Sequence, residues 1–244
     1  MKSLLAAFQF LTVLPVKIAL EKEDFERSPK WFPLVGLTIG ALAALADGAF
    51  AFLGFSGVLK SILTIGFLAA LSGGLHLDGL ADSADGFLSG RPRKKALEIM
   101  RDSRIGTMGV LALLFVLAVK ISALAELSGS LRWKALLFAP LAGRSVMIVT
   151  MALIHYARSE GGLASIFIRR KTVWPAIWAG GCLLLAVVIL FGILSGAVTA
   201  AFLFSVTSIL SFWSYRRIGG YTGDTLGAAS EIVEALAFAA LLFA

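Results

Sequence analysis

The stretch TMGVLALLFVLAVKISALAEL, residues 107–127, decides the fold class. From Thr107 to Ala125 its only charge is Lys120. About 20 consecutive apolar residues in helical form cross the hydrocarbon layer of a bilayer. Further stretches of this kind lie at roughly 32–56, 57–81, 131–156, 173–194 and 196–214, and another at 226–244 carries Glu231 and Glu234. The chain has 244 residues, 59% of them hydrophobic and 15% charged. A soluble domain is about 45–50% apolar and about 25% charged. A water-soluble fold of this size could not hide so much apolar surface. The expected fold is an all-α, polytopic integral membrane bundle of about 6–8 membrane segments, with residues 1–244 as a single membrane-embedded domain.

The first apolar run, Leu4 to Val16, is short and contains Pro15. It suits a tilted span, a re-entrant segment or an interfacial helix. No small-residue cleavage site precedes the polar stretch after it, which argues against a removable signal peptide. No internal repeat stands out.

The connections alternate in length. Those at 17–31, 88–106, 157–172 and 214–225 are long and charged, and they hold most of the Lys and Arg residues, among them Arg91, Arg93, Lys94, Lys95, Arg101 and Arg104. The short connections contribute only Lys60, Arg132 and Lys134. The positive-inside rule then turns the long connections to the cytoplasm. The net charge of +7 reflects these loops and the anionic lipid bilayer they meet, with no nucleic acid partner implied. One cysteine, Cys182, and two histidines, His76 and His155, rule out a disulfide framework and leave zinc or haem short of ligands. A metal here would be a hard cation on carboxylates, such as Mg2+.

The densest polar pattern is HLDGLADSADG, residues 76–86. Asp78, Asp82 and Asp85 fall at about 0°, 40° and 340° around a helix, so they share one narrow face. Their mutual repulsion is relieved by protonation or by a divalent cation shared with a substrate phosphate. The plainer alternative is a polar helix end in water. His76 points about 200° away from that face and reads as structural. A second cluster, Asp102-Ser103-Arg104, closes the basic loop: Asp102 is a candidate to complete the metal shell, and Arg104 to grip a phosphate. A third, GGYTGDTLG at 219–227, opens the last helix. Backbone N–H groups there suit an anion, Thr222 and Thr225 add hydroxyls, and Asp224 is a candidate ligand or base. Arg144 sits deep in its span, where it either pairs with an acid or binds substrate, and Glu231 or Glu234 is a candidate partner for it or for Lys120. Asp47 reads as helix pairing or a span end.

The strings GLHLDGLADSADGF (74–87), ALEIMRDSRIGTMG (96–109) and GGYTGDTLGAASE (219–231) resemble the cobalamin synthase family, and FQFLTVLPV (8–16), FPLVGLTIGA (32–41) and the GRS at Arg144 fit as well. The resemblance runs in order over essentially the whole chain. It implies an enzyme of the cytoplasmic (inner) membrane with its active site facing the cytoplasm. The family joins adenosylcobinamide-GDP to α-ribazole or its 5'-phosphate and releases GMP, with Mg2+ as cofactor. On that footing Asp78, Asp82, Asp85 and Asp102 would hold Mg2+, and Asp82, Asp85 and Asp224 would be catalytic. Ser103, Arg104, Arg144, Thr222 and Thr225 would bind substrate. A CDP-alcohol phosphotransferase is the nearest alternative enzyme. Asp82-Ser83-Ala84-Asp85-Gly86 fits its opening, but Ser89-Gly90 stands where Ala-Arg is expected, and Gly106 where an aspartate is. A cation-coupled transporter would also bury Asp, Glu and Arg, though near the bilayer midplane.

Overall fold

The computed structural model describes residues 1–158, 161–167 and 173–243. It is all helical in its regular elements. These are α1 (Lys2–Leu11), α2 (Lys22–Glu26), α3 (Phe32–Phe52), α4 (Gly57–Leu71), α5 (Leu75–Leu88), α6 (Arg93–Ile99), α7 (Thr107–Glu126), α8 (Gly129–Leu153), α9 (Val173–Phe191), α10 (Ile193–Ile218) and α11 (Gly223–Ala240). Among the described residues six segments are long and apolar enough to cross a membrane: 29–52, α7, α8, α9, α10 and 223–243.

The stretch expected as one span at 57–81 is two helices. α4 and α5 meet at an angle of 91°. Gly73 and Gly74 make the corner at φ 60° and 72°, a left-handed conformation that side chains with a Cβ resist. Their N–H groups close the end of α4 onto the carbonyls of Ala70 and Ala69, both at 3.0 Å. Beyond the corner come three aspartates, whose charge is costly to carry further along a hydrocarbon-spanning axis. The helix turns instead, and α5 lies across the end of the bundle. The N-terminal run is also shorter than its apolar sequence. α1 stops at Leu11, Val13 N–H donates to the Leu71 carbonyl at 2.9 Å, and Trp31 Nε1 donates to Ser3 Oγ at 3.1 Å. α1 therefore packs on the corner between α4 and α5.

α8 is the central post. Leu136, Phe138, Ala139, Ala142, Val146 and Ile148 bury every side of it, as expected of a helix that is apolar all round. α3 packs on it backbone to backbone. A Cβ on Gly36 would stand 2.4 Å from the Pro140 carbonyl oxygen, and one on Gly40 2.5 Å from that of Leu136. The Gly36-x-x-x-Gly40 spacing is the small-residue seam that lets membrane helices approach closely. Pro140 has no N–H, so the Leu136 carbonyl lacks its helical donor, and Gly40 packs against that same oxygen.

A buried charge cluster ties α3, α4 and α8 at the end with short connections. Arg132 donates to both oxygens of Asp47, at 2.6 to 3.1 Å, and Lys60 pairs with Asp47 at 3.2 Å. Thr64 Oγ1 also donates to Asp47, at 2.9 Å. Asp47 thus does serve helix pairing.

A methyl group at Gly36 must push α3 away from α8. Gly36→Ala is expected to cost about 1–3 kcal/mol and to lower the unfolding midpoint of the purified protein in detergent. Gly48→Ala, where a Cβ meets nothing within 4 Å, should not lower it, since alanine is the better helix former.

Candidate active site

α5 crosses the start of α11 in close contact. A Cβ on Gly79 would lie 2.7 Å from the Asp224 carbonyl oxygen, and one on Gly227 3.1 Å from the His76 backbone. This crossing sets the carboxylate face of α5 beside Asp224. Asp78 is exposed, while Asp82, Asp85 and Asp224 are half-buried. Asp82 feels the like charges of Asp78, Asp224 and Asp85, against the cation Arg158. Arg158 itself pairs with Asp224 at 2.7 Å. Among the described residues, carboxylates outnumber cations in this patch.

The local sequence explains how Asp224 is held. α10 ends at Gly219 in the left-handed conformation, φ 78°. Gly220 follows because a Cβ there would strike the His155 carbonyl oxygen at 2.1 Å. Tyr221 then bridges to the segment after α8: its N–H donates to His155 O and its carbonyl accepts from Ala157 N–H, both at 2.8 Å. Thr222 caps α11. Its Oγ1 accepts from Thr225 N–H at 3.3 Å, while Thr225 Oγ1 accepts from Thr222 N–H at 2.8 Å, a reciprocal capping arrangement. Both hydroxyls, expected to meet substrate, are buried in this cap. They position the helix start that bears Asp224.

Asp85 is also a cap, on another helix. Its two oxygens accept from Gly106 N–H at 2.7 Å and Gly109 N–H at 2.8 Å, at the start of α7. A negative group there satisfies orphan donors and the helix dipole. Both glycines are required, since a Cβ on either would come within 2.5 Å of the carboxylate. Asp102 lies on the loop between α6 and α7, not on a helix, and forms a fork with Arg104: Nε to Oδ1 at 3.0 Å and Nη2 to Oδ2 at 2.7 Å. Arg104 holds the Asp102 carboxyl down to about 2, so the pair is ionised through the neutral range and its contribution is lost only as the pH falls toward that value. Ser103 and Arg104 are exposed on this loop. Among the described residues no three His, Cys, Asp or Glu side chains converge as a metal cage. Asp78, Asp82, Asp85 and Asp102 thus do not stand as one shell in this arrangement. Mg2+ commonly takes one or two protein carboxylates and completes its shell with phosphate and water, and the oxygen donors of Asp78 and Asp82 suit that mode.

Arg144 lies deeper, as a member of a buried ionic network and not as an open phosphate site. It pairs with Glu234, and Lys120 pairs with Glu231 at 2.6 Å and with Glu234 at 2.7 Å. Two cations meet two anions from α7, α8 and α11, which is how charges survive in a hydrocarbon-spanning bundle.

Residues that the sequence pattern did not single out complete the site. Arg158 borders two cavities. One, of about 510 Å3, is lined by Arg93, Lys94, Glu98, Arg101 and Arg158. The other, of about 130 Å3, is lined by Phe10, His76, Asp78, Met147, Phe167 and Asp224 among others. Arg93 donates to Ala157 O at 3.1 Å and Arg217 to Phe87 O at 2.7 Å, so the basic loops are fastened to the site. Nothing in the spacing of Arg158 marked it. It reaches Asp224 across 66 positions of chain.

An α-helical bundle of membrane-length helices with a carboxylate patch and a basic cleft at one end defines a polytopic membrane protein whose open polar groups gather at its helix ends. The chain belongs to the cobalamin-5-phosphate synthase family, whose model matches residues 3–242. It is 39% identical to the adenosylcobinamide-GDP ribazoletransferase of Desulforamulus reducens, over 95% of this chain and 92% of that protein. The proteins of the same name from Citrobacter koseri and Klebsiella pneumoniae are 40% and 41% identical, over 97% and 99% of this chain and 98% and 99% of theirs. No solved structure matches the chain.

Two stability effects separate structural from chemical roles. Asp85→Ala strips the acceptor from two N–H groups and is expected to cost about 1–3 kcal/mol, read as a lower unfolding midpoint. Lys120→Met leaves Glu231 and Glu234 with Arg144 alone and should cost about 3–5 kcal/mol in the same measurement.

Proposed function

We propose that this chain is an adenosylcobinamide-GDP ribazoletransferase. In this reading it joins adenosylcobinamide-GDP to α-ribazole, or its 5'-phosphate, and releases GMP. The observation that carries the reading is the meeting of the α5 carboxylate face with Asp224 and Arg158 beside a basic cleft, in a chain matched along its length by ribazoletransferases.

The chemistry is a phosphoryl transfer. The acceptor's ribose hydroxyl attacks the phosphorus attached to the corrin side chain, and the bond from that phosphorus to the oxygen of GMP breaks. Such a transfer depends on in-line placement and charge neutralisation more than on covalent help. Asp78 and Asp82 are the residues that would hold Mg2+, which supplies positive charge to the pyrophosphate. Arg93, Lys94 and Arg101 line the cleft where the guanine nucleotide's phosphates would lie. Asp224, fixed by Arg158 and the α11 cap, would orient the attacking hydroxyl, and the exposed Ser103-Arg104 segment would close over the leaving GMP. Asp85 contributes by fixing the α5–α7 junction.

The site lies at the end of the bundle from which the long basic connections leave. That distribution of Lys and Arg supports a cytoplasmic-facing site in the inner membrane, where both water-soluble substrates arrive. The alternatives gain nothing from the geometry. Asp102 is engaged by Arg104 on a loop and does not continue a lipid-synthase aspartate series, and the aspartates cluster at helix ends while the membrane-embedded Glu231 and Glu234 are closed off by Lys120 and Arg144.

GMP release from adenosylcobinamide-GDP and α-ribazole by the detergent-purified protein is the test. It should require Mg2+ and fall by about 10²–10³ or more in Asp82→Asn, with the unfolding midpoint unchanged. Undiminished release by Asp82→Asn would remove Asp82 from the site.

A further inference from the structure

His76 is 1% exposed, and neither of its ring nitrogens has a hydrogen-bond partner among the described residues. A neutral imidazole brings one donor and one acceptor, and leaving both unmet in a buried place is costly. The nearby cations bring no relief: Arg144 and Lys120 lie within electrostatic reach of His76, but Glu234 and Glu231 engage them. His76 is one of the residues around the cavity of about 130 Å3, which has two kinds of wall. Phe10, Met147, Phe167 and Leu226 form an apolar side, and Phe10 meets Phe167 edge to face at 5.1 Å. Asp78, Asp224 and Arg158 form the polar rim.

We propose that this cavity is the acceptor subsite: a flat heterocyclic base enters against Phe10, Met147 and Phe167, and His76 hydrogen-bonds it. The inference rests on the transferase reading and says which cavity takes which substrate. Its volume is close to that of a cavity able to hold a single benzene ring, about 150 Å3. It admits a flat ring and leaves the sugar at the rim, beside Asp224. The apolar walls reject a guanine, whose edge is polar throughout, and the cations that suit a nucleotide's phosphates line the neighbouring basic cleft. The donor's GMP therefore belongs in the basic cleft, on the other side of Arg158. The arrangement also gives α1 a purpose: Phe10 brings it to the cavity wall.

The test is the pair of Michaelis constants in GMP release, with benzimidazole as a probe of the cavity. His76→Leu should raise the KM for α-ribazole about tenfold or more, the worth of a buried hydrogen bond, and leave the KM for adenosylcobinamide-GDP unchanged. His76→Asn, which restores a donor and an acceptor, should recover part of the loss. Benzimidazole should compete with α-ribazole and not with adenosylcobinamide-GDP, and Phe167→Ala should weaken that inhibition. Equal changes in both KM values, no change in either, or benzimidazole competing with the donor would overturn the assignment. If His76→Leu does not fold, the benzimidazole competition and Phe167→Ala decide the matter. A folded wild-type protein that releases no GMP overturns the transferase reading alone. The cavity is then judged by calorimetric binding of benzimidazole, which must be present in the wild type and weakened in Phe167→Ala for the assignment to survive.

Discussion

Charge in a hydrocarbon layer must be paired or brought to water, and the architecture follows from that constraint. Asp78, Asp82 and Asp85 cannot continue the axis of α4, so the chain turns at Gly73 and Gly74 and lays α5 across the end of the bundle. The charges that remain inside are paired off. Lys120 and Arg144 meet Glu231 and Glu234 below the site, and Arg132 and Lys60 meet Asp47 at the far end. The first network joins the three helices whose ends surround the carboxylates. It fixes the floor on which α5 rests.

Close backbone approach is the second device, and the glycines mark where it occurs. Gly36 and Gly40 seat α3 on α8, Gly79 and Gly227 seat α5 on α11, and Gly106 and Gly109 admit the Asp85 carboxylate to the start of α7. In each pair the missing side chain is replaced by another segment's backbone or by a carboxylate. Helix ends are thereby coupled to one another: Asp85 caps a helix distant in sequence, and Tyr221 stitches the α10–α11 turn to the segment after α8. Asp224 and Arg158 stand on the two segments so joined.

Several polar residues of the sequence motifs are engaged by other groups of the protein. Thr222 and Thr225 have the composition of a phosphate-binding turn, yet each hydroxyl accepts from the other's backbone N–H, and Thr222 Oγ1 also donates to Asp224. Arg144 has the charge of a phosphate clamp, yet lies against Glu234. Arg158 and His76 bear on the cavities, although Arg158 sits in an unremarkable basic loop and His76 on the helix face away from the aspartates.

What the sequence determined by itself is the membrane class, the long helices and the common face of Asp78, Asp82 and Asp85. Hydropathy and the helical period act over a few neighbouring residues, so they can be read without knowing the fold. The family was legible too, in three strings that keep their order. The tertiary structure decided where α4 breaks from α5, which helix Asp85 caps, that Arg144 pairs inward, and that His76 and Arg158 share a cavity with Asp224. All but the first join residues distant along the chain. A local pattern says which groups need a partner, and only the packing of α5 against α7, α8 and α11 says which partner is within reach.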